Sequence, residues 1–365
     1  MIQISKPYIT EEDVRAASEV LCSGNLAQGP KVKEFEETFA RYCGTRYAVA
    51  VNNGTSALHC ALFALGITAG DEVITTPFTF VATANAILMQ QARVVFADIR
   101  EDDFNIDPDS IEQKITSKTK AIIPVDLYGQ IYDVEGVRRI ASNHQLKVIE
   151  DAAQSVAAEY QGIKAGHFGD AATFSFYATK NLTAGIGGMI TTNDESVMKK
   201  MKLFRHHGQD EATQYEYLIF GYNYRMMDMI AAIGLEQLKR VDLLTNSRIK
   251  NAQKYSEGLA GLEGLQLPLV KSHFKHCWHQ YTIRITEKFK MSRDEFIERL
   301  AAKGVQCKIY YPKPLHLFPQ FTQSGFKEGD CPVAEKLARE VVSLPVHPLV
   351  SPAEIDFIVG VIRSL

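Results

Sequence analysis

Short apolar runs alternate with helical segments in the first half of the chain, and this alternation limits the possible folds more than any other feature. The runs predict buried strands at residues 46–51, 71–76, 93–99, 121–126 and 146–151. Helical patterns occupy residues 55–66, 80–90 and 133–144 between them, and two further helices are predicted before the first run, at 10–24 and 30–44. Strands that alternate with helices in this way favour a mostly parallel sheet covered by helices on both faces.

The pattern changes after a long helical region at about residues 225–258. The stretch CWHQYTIRIT (277–286) alternates as a strand, SRDEFIERLAAKG (292–304) predicts a helix with a capping box, and SPAEIDFIVGVIRSL (351–365) predicts a closing helix. Because 365 residues exceed what one core usually organises, we expect two domains. We place a large α/β domain at 1–245 and a smaller α+β domain at 246–365, with the N-terminal segment packing on the small domain.

Charge and composition favour small-molecule chemistry. The net charge is −3 and no basic run is present, which argues against nucleic acid and membrane surfaces as partners. The first residues, MIQISKPYITEED, lack the apolar core of a signal peptide, and no apolar stretch approaches the roughly 20 residues that span a bilayer. The six cysteines show neither disulfide nor zinc spacing. We therefore expect a soluble, cytoplasmic protein without a metal site.

Ligands of open α/β sheets bind beyond the carboxyl ends of the strands, so the residues that follow each strand are candidates for the site. Gly54, Thr55 and Ser56 follow the first predicted strand and open a helix. Free backbone N–H groups at such a position favour a phosphate, although a helix cap with a glycine turn explains the same residues. Asp151 ends a later strand, and a carboxylate buried there needs a hydrogen-bonding or cationic partner.

Lys180 lies between a predicted strand at 173–177 and a loop with glycines at 185, 187 and 188. A lysine is usually solvated, but glycines let the backbone bend closely around this one. Phe80 either stacks on a flat cofactor or belongs to the core. Together, a phosphate cradle, an aromatic ring, a buried carboxylate and a lysine match the needs of pyridoxal phosphate, whose aldehyde takes a lysine and whose ring nitrogen takes a carboxylate.

The motifs NNGTSAL, TFVATANAI, VIEDAAQS, GDAATFSFYATKNL, RHHG, GYNYRM and YYPKPLH occur in this order. With them the chain resembles the DegT/DnrJ/EryC1/StrS family from Ser5 to near its carboxyl end. The resemblance implies an aspartate aminotransferase-like fold of type I with a seven-stranded sheet. It also implies a pyridoxal 5'-phosphate-dependent aminotransferase that converts a nucleotide-diphosphate-linked keto sugar to an amino sugar, with glutamate as amino donor, in a homodimer with shared active sites.

The resemblance further assigns roles to individual residues. Lys180 matches the Schiff-base lysine, Asp151 the partner of the ring nitrogen, Gln154 a residue beside the ring, and Phe80 the stacking aromatic residue. The matching phosphate contacts are Thr55, Ser56 and Ser175, next to Gly54.

A second set of residues is assigned to the partner chain and to the substrate. Asn223 matches a residue that reaches the cofactor phosphate of the neighbouring subunit, and Arg225 is expected beside it. His316, Tyr310 and Tyr311 match substrate-facing positions, and a further candidate for the same pocket is His207. For each histidine, a hydrogen-bonded structural role is the alternative.

Two positions depart from the family pattern. Ile186 stands where many members have a glutamate, and Asp126 stands where many have a histidine; we expect both to affect the choice of sugar and not the cofactor chemistry. Two other functions remain as alternatives. A sugar dehydratase of the same family has a histidine in place of the Schiff-base lysine, which Lys180 argues against. A noncatalytic regulator that binds a ligand on this fold has no need of a lysine at this position.

Overall fold

A computed structural model of the protein describes residues 1–210, 213 and 215–365. The helices are α1 (Glu11–Ser23), α2 (Pro30–Cys43), α3 (Gly54–Ala64), α4 (Ala82–Met89), α5 (Pro108–Lys114), α6 (Val134–His144), α7 (Glu195–Arg205), α8 (Asp228–Leu259), α9 (Arg293–Ala302), α10 (Pro319–Thr322), α11 (Pro332–Glu340) and α12 (Pro352–Ser364). The strands are β1 (Tyr47–Val51), β2 (Glu72–Thr75), β3 (Arg93–Phe96), β4 (Thr119–Ile123), β5 (Lys147–Asp151), β6 (Glu159–Tyr160), β7 (Ile163–Lys164), β8 (Ala171–Ser175), β9 (Gly188–Thr192), β10 (Leu265–Gln266), β11 (Phe274–Lys275), β12 (Tyr281–Ile285) and β13 (Val341–Leu344).

The main sheet has seven strands in the order β1-β9-β8-β5-β4-β2-β3. Only β9 runs against its two neighbours, β1 and β8, and the remaining pairs of this sheet are parallel. Strands covered on both faces read as continuous apolar runs, which is why the sequence pattern identified most of them. The predicted fold class is confirmed.

Three apolar cores surround the sheets. One face of the main sheet packs on α2 and α8 through residues such as Phe35 and Phe174, and the other face packs on α3 and α7 through residues such as Leu62 and Phe204. A third core lies between the β10-β12-β13 sheet and the helices α8, α9 and α12. Because α11 contributes to the second core and α8 runs past residue 245, the boundary between domains at 245/246 remains a proposal.

The first residues lie along the third core. The Ile2 N–H donates to the Gly304 carbonyl at 2.7 Å, and the Gln306 N–H donates to the Ile2 carbonyl at 2.9 Å. Residue 2 therefore pairs in parallel with Val305, next to α9. At the other end, α12 begins with a Ser351–Glu354 capping box. At α9, where the sequence predicts a capping box, Ser292 caps the helix without the reciprocal bond from Glu295. Among the helices described, none is both long enough and apolar enough to cross a membrane.

Candidate active site

The carboxyl ends of β1, β5 and β8 bring the predicted cofactor residues to one edge of the main sheet. Gly188, the first residue of β9, pairs with Val51 at the end of β1 and with Ser175 at the end of β8. Asp151 ends β5, the strand beside β8, and pairs with Thr173. The sheet topology thus places the helix start after β1, the carboxylate of β5 and the loop of Lys180 within one neighbourhood.

The Asp151 carboxylate is almost completely buried and has two fixed donors. Its Oδ2 accepts a hydrogen bond from the Thr83 hydroxyl at 2.7 Å, and its Oδ1 accepts one from the Ala153 N–H at 3.2 Å. Burial raises the pKa of Asp151, while these hydrogen bonds and the positive charge of Lys180 oppose that rise. The carboxylate is therefore oriented and close to a cation.

The Lys180 side chain is partly buried, and burial lowers its pKa to about 8 against the attraction of Asp151. A lysine with such a pKa has a substantial neutral fraction near neutral pH, which a nucleophile or a base requires. Its backbone N–H donates to the Tyr177 carbonyl at 2.8 Å, which fixes the turn after β8. The structure therefore holds the amine of Lys180 near the carboxylate of Asp151.

The start of α3 forms a narrow cradle. A Cβ atom added to Gly54 would lie 3.0 Å from the Cβ of Ser175, and one added to Gly188 would lie 2.4 Å from the Asn53 carbonyl oxygen. The Asn53 side chain caps α3 by accepting from the Ser56 N–H at 2.9 Å, so the helix cap considered as an alternative is present. In the described part of the chain, the N–H groups of Gly54 and Thr55 have no acceptor, and an anion at this helix end would meet them.

Gln154 and Tyr311 lie next to Asp151. The Gln154 side-chain carbonyl accepts from the Tyr128 N–H at 3.0 Å, and the Gln154 side chain lies near the Tyr311 hydroxyl. Burial and the charge of Asp151 raise the pKa of Tyr311, so its hydroxyl stays protonated. The Tyr310 carbonyl accepts from the Tyr128 hydroxyl. Both tyrosines of the YYPKPLH motif thus border the site.

Phe80 lies two residues before the start of α4 with 58% of its surface exposed. Its ring is therefore accessible for stacking on a ligand and does not belong to the core.

Asn223 is exposed, and its side-chain oxygen accepts from Arg225 Nε at 3.1 Å. Arg225 further contacts His206 at 3.4 Å. His207, the residue after His206, is exposed. These residues form an open polar surface within the chain.

Two residues with a predicted link to the substrate lie in the interior. His316 is 0% exposed and its Nε2 is hydrogen-bonded to Glu335 at 2.9 Å, because the turn at Leu315–Leu317 directs the ring into the second core. The structural role considered for this histidine is therefore the one its geometry supports. Asp126 is likewise fully buried and accepts from the Ser155 hydroxyl at 2.6 Å, so it does not face a sugar. Ile186, in contrast, is exposed.

The sequence did not indicate the residues that position Asp151 and the loop of Lys180. Thr83, which binds Asp151, lies in the TFVATANAI motif three positions after Phe80, one helical turn away, and that spacing was the available signal. Asn181 follows Lys180, donates to the Cys277 carbonyl at 2.8 Å and contacts the His279 ring at 3.4 Å. No sequence pattern links residue 181 to a segment almost 100 residues away.

The donor set fits pyridoxal phosphate. The glycine cradle with free amides suits the phosphate, the exposed Phe80 ring suits the pyridine ring, and the buried Asp151 suits a protonated ring nitrogen. The amine of Lys180 suits the aldehyde. Fold and site together define a pyridoxal-phosphate enzyme of the aspartate aminotransferase type.

The chain belongs to the DegT/DnrJ/EryC1/StrS aminotransferase family, whose model matches residues 7–363. It is 42% identical to the GDP-perosamine synthase of Caulobacter vibrioides over 338 residues, which cover 92% of this chain and 90% of that protein. The structure of DesV from S. venezuelae superposes with a TM-score of 0.92 at 37% identity, covering 97% and 94% of the two chains. The PLP form of Spr1654 from Streptococcus pneumoniae gives a TM-score of 0.94 at 30% identity, covering 100% and 98%. The family and this PLP form indicate pyridoxal phosphate as the cofactor.

Proposed function

We propose that the protein transfers an amino group from glutamate to the keto group of a nucleotide-diphosphate-linked sugar. The observation that carries this proposal is the partly buried amine of Lys180, with its pKa lowered to about 8, beside the oriented carboxylate of Asp151. The transamination of nucleotide sugars by named relatives, among them two dTDP-amino-sugar transaminases, supports the substrate class. Because Lys180 is present, the dehydratase alternative is disfavoured.

Pyridoxal phosphate supplies, when bound, an aldehyde for covalent attachment of an amine and a ring that accepts electrons. The negative charge of Asp151, whose Oδ atoms Thr83 and Ala153 orient, would favour the protonated form of the ring nitrogen. The neutral Nζ of Lys180 removes a proton from the carbon of the amino donor and later delivers it. Partial burial keeps this amine neutral enough to act as the base. With the keto sugar as substrate, Asp151 and Lys180 have the same roles and the proton transfer runs in the reverse direction.

A screen of keto-sugar nucleotides tests the proposed function. The holoenzyme is first converted to its amine form with L-glutamate, and each nucleotide sugar is then scored by the loss of the absorbance of that form. At least one nucleotide-linked keto sugar restores the original spectrum, and mass spectrometry finds the matching amino sugar. A protein that binds these compounds with no spectral change would instead fit the noncatalytic regulator.

The low pKa of Lys180 predicts how covalent cofactor uptake depends on pH. Because the amine is protonated below about 8 and neutral above it, we expect the rate of uptake by the apoprotein to rise with pH and level off above about 8, not near 10.5. The measurement is the absorbance of the covalently held cofactor after rapid mixing. A rate that still climbs at pH 10 would contradict the lowered pKa.

We also propose a homodimer with shared active sites. Besides Phe80, large apolar side chains are exposed on the segments that carry site residues: Tyr177, Ile186, Tyr217, Phe220 and Met227. Exposed apolar surface of this kind marks contact sites. The side chain of Asn223 is exposed on this surface, where its oxygen accepts from Arg225. Its amide N–H group would bind the cofactor phosphate of a second copy, because an additional donor stabilises a group with close to two negative charges.

Mixing two inactive variants tests the shared site. Subunits with Lys180→Ala are combined with subunits with Asn223→Asp and allowed to exchange. A mixed dimer then has one site with both defects and one site with neither, so we expect activity to reach about one quarter of the wild-type value in an equal mixture. The measurement is turnover before and after exchange. Activity that never exceeds the average of the two parents, or a fully active monomer in light scattering, would contradict the shared site.

A further inference from the structure

Two buried carboxyl groups lie near each other next to the candidate active site. Asp126 follows β4, Glu150 lies in β5 directly before Asp151, and both residues are 0% exposed. The backbone holds the two segments together, because the Asp126 N–H donates to the Asp151 carbonyl at 3.1 Å and the Asp151 N–H donates to the Pro124 carbonyl at 2.9 Å. Each of the two carboxyl groups influences the pKa of the other. Strand pairing thus keeps two acidic groups together in the interior.

The groups that hold these two carboxyl groups are all neutral. Each of the four carboxyl oxygens of Asp126 and Glu150 accepts one hydrogen bond from a donor at 2.6 to 3.1 Å. The donors are the N–H groups of Tyr132, Gly166 and Phe168 and the hydroxyl group of Ser155. Among the residues that the structure describes, neither carboxyl group is bonded to a lysine, an arginine or a histidine.

The other titratable groups that face the pair bring no positive charge. They are Cys43 in α2, Tyr132 before α6, Asp151 in β5 and Cys277 before β12. Burial raises the pKa of both thiols and of the tyrosine, so these three groups are uncharged at neutral pH. The negative charge of Asp151 further opposes the ionisation of Glu150. The surroundings of the pair therefore do not compensate two negative charges.

Other buried carboxylates of this protein have cationic partners. Glu36 is paired with Arg205, and Asp103 is paired with Arg100. Without such a partner, the ionisation of two neighbouring carboxyl groups in the interior is costly, and one of them keeps its proton. In agreement with this, burial raises the pKa of both carboxyl groups of the pair above their ordinary values.

We propose that Asp126 and Glu150 share a single proton at neutral pH, so that one carboxyl group donates its O–H to the other. The pair then carries one negative charge in place of two. Because the Ser155 hydroxyl donates to Asp126, the pair also fastens the turn at 151–155, which begins with Asp151. Loss of the proton at alkaline pH places two like charges next to each other and weakens this fastening.

Infrared difference spectra of the cofactor-loaded protein test the shared proton. A protonated carboxyl group has an absorption band that a carboxylate lacks, and the spectrum of each variant is subtracted from that of the wild type. At neutral pH, Asp126→Asn and Glu150→Gln should each remove the band of one carboxyl group, because the new amide N–H donates in place of the proton. The double variant should remove no more than either single variant, since the proton belongs to the pair. In the wild type this band should disappear only at alkaline pH.

The number of protons released on unfolding is a second, independent measurement. Each protein is unfolded with guanidinium chloride at neutral pH, and the base needed to hold the pH constant is measured. Carboxyl groups of an unfolded chain titrate at about pH 4, so the shared proton is released. The wild type should therefore release about one proton more than Asp126→Asn or Glu150→Gln.

Asp103→Asn is the matched control for both measurements. Asp103 is 5% exposed, but Arg100 and Lys271 compensate its charge, with Lys271 at 3.1 Å. Its replacement should change neither the infrared band nor the number of protons released.

Hydrogen exchange followed by mass spectrometry tests the fastening of the turn at 151–155. Asp126→Ala removes the acceptor of the Ser155 hydroxyl, so this peptide should exchange about tenfold faster than in the wild type, as expected for one lost hydrogen bond. Asp126→Asn should restore most of the protection, because an amide both accepts and donates. If Asp126→Ala does not fold, Ser155→Ala removes the same hydrogen bond and should give the faster exchange. An unchanged rate in the folded alanine variant overturns the fastening.

Three results would overturn the shared proton. If neither single variant removes a carboxyl band, the pair holds no proton. If the double variant removes twice the band of a single variant, the two groups are protonated separately. If the wild type releases no more protons than the variants, the folded chain does not retain one at this place. None of these measurements involves the amino donor or the nucleotide sugar, so they leave the proposed function untouched.

Discussion

Lys180→Ala is expected to abolish turnover and leave a folded protein. The substitution removes the amine that is positioned to hold the cofactor covalently and to move the proton, and it also removes a charge that burial destabilises. Circular dichroism should therefore show a native spectrum and an undiminished Tm, and activity should fall to background. Lys199→Ala is the control, because Lys199 is an exposed lysine paired with Glu195 and should keep full activity.

Borohydride reduction of the wild-type holoenzyme followed by peptide mapping identifies the lysine directly. The label should be found on Lys180. Label on a different lysine would show that the site has been placed wrongly, whatever the activity of the alanine variant.

Asp151→Asn is expected to lower kcat by at least about a hundredfold, comparable to the loss of other preorganised electrostatic contacts. Asparagine keeps the shape of the side chain between Thr83 and Ala153 but removes the charge that keeps the ring nitrogen protonated. Steady-state kinetics with an active nucleotide sugar gives kcat, and the cofactor spectrum reports that the site is still loaded.

Asp126→Asn is the matched control for this effect. Asp126 is also a fully buried carboxyl group, but it hydrogen-bonds to Tyr132 and Ser155 in the interior and does not face the ligand site. Its asparagine variant should stay within about fivefold of wild-type kcat. Near-normal activity of Asp151→Asn would refute the role of Asp151, and an equal loss in both variants would point to a general effect of replacing a buried carboxyl group.

The sequence predicted the sheet well because strands buried on both faces read as apolar runs, so β1 to β5 appear at their predicted places. It did not predict β9 or α7. The strand β9 begins at Gly188, the last glycine of the glycine-rich loop. Glycines predict a loop at this place, so the sequence pattern did not indicate a strand. The antiparallel direction of β9 follows from its pairing with β1 and β8, which no local pattern records.

In the candidate active site, too, local motifs predicted some residues, and contacts between distant segments determined others. Asp151, Lys180 and the start of α3 follow strands in short motifs, so their proximity was predictable. Thr83 and Asn181 act through contacts to distant segments, and only the folded chain shows them. His316 lies in a recognisable motif, yet a turn directs its ring toward Glu335 and away from solvent. A motif fixes where the backbone passes and does not fix the direction of each side chain.

The pairing of Ile2 with Val305 has a consequence for biosynthesis. Residue 2 leaves the ribosome about 300 residues before Val305, an interval of about 15–60 s at the usual rates of translation. Contacts of such large sequence separation form late in folding. The segment at residue 2 therefore cannot take its native position until residues 304–306 have been synthesised.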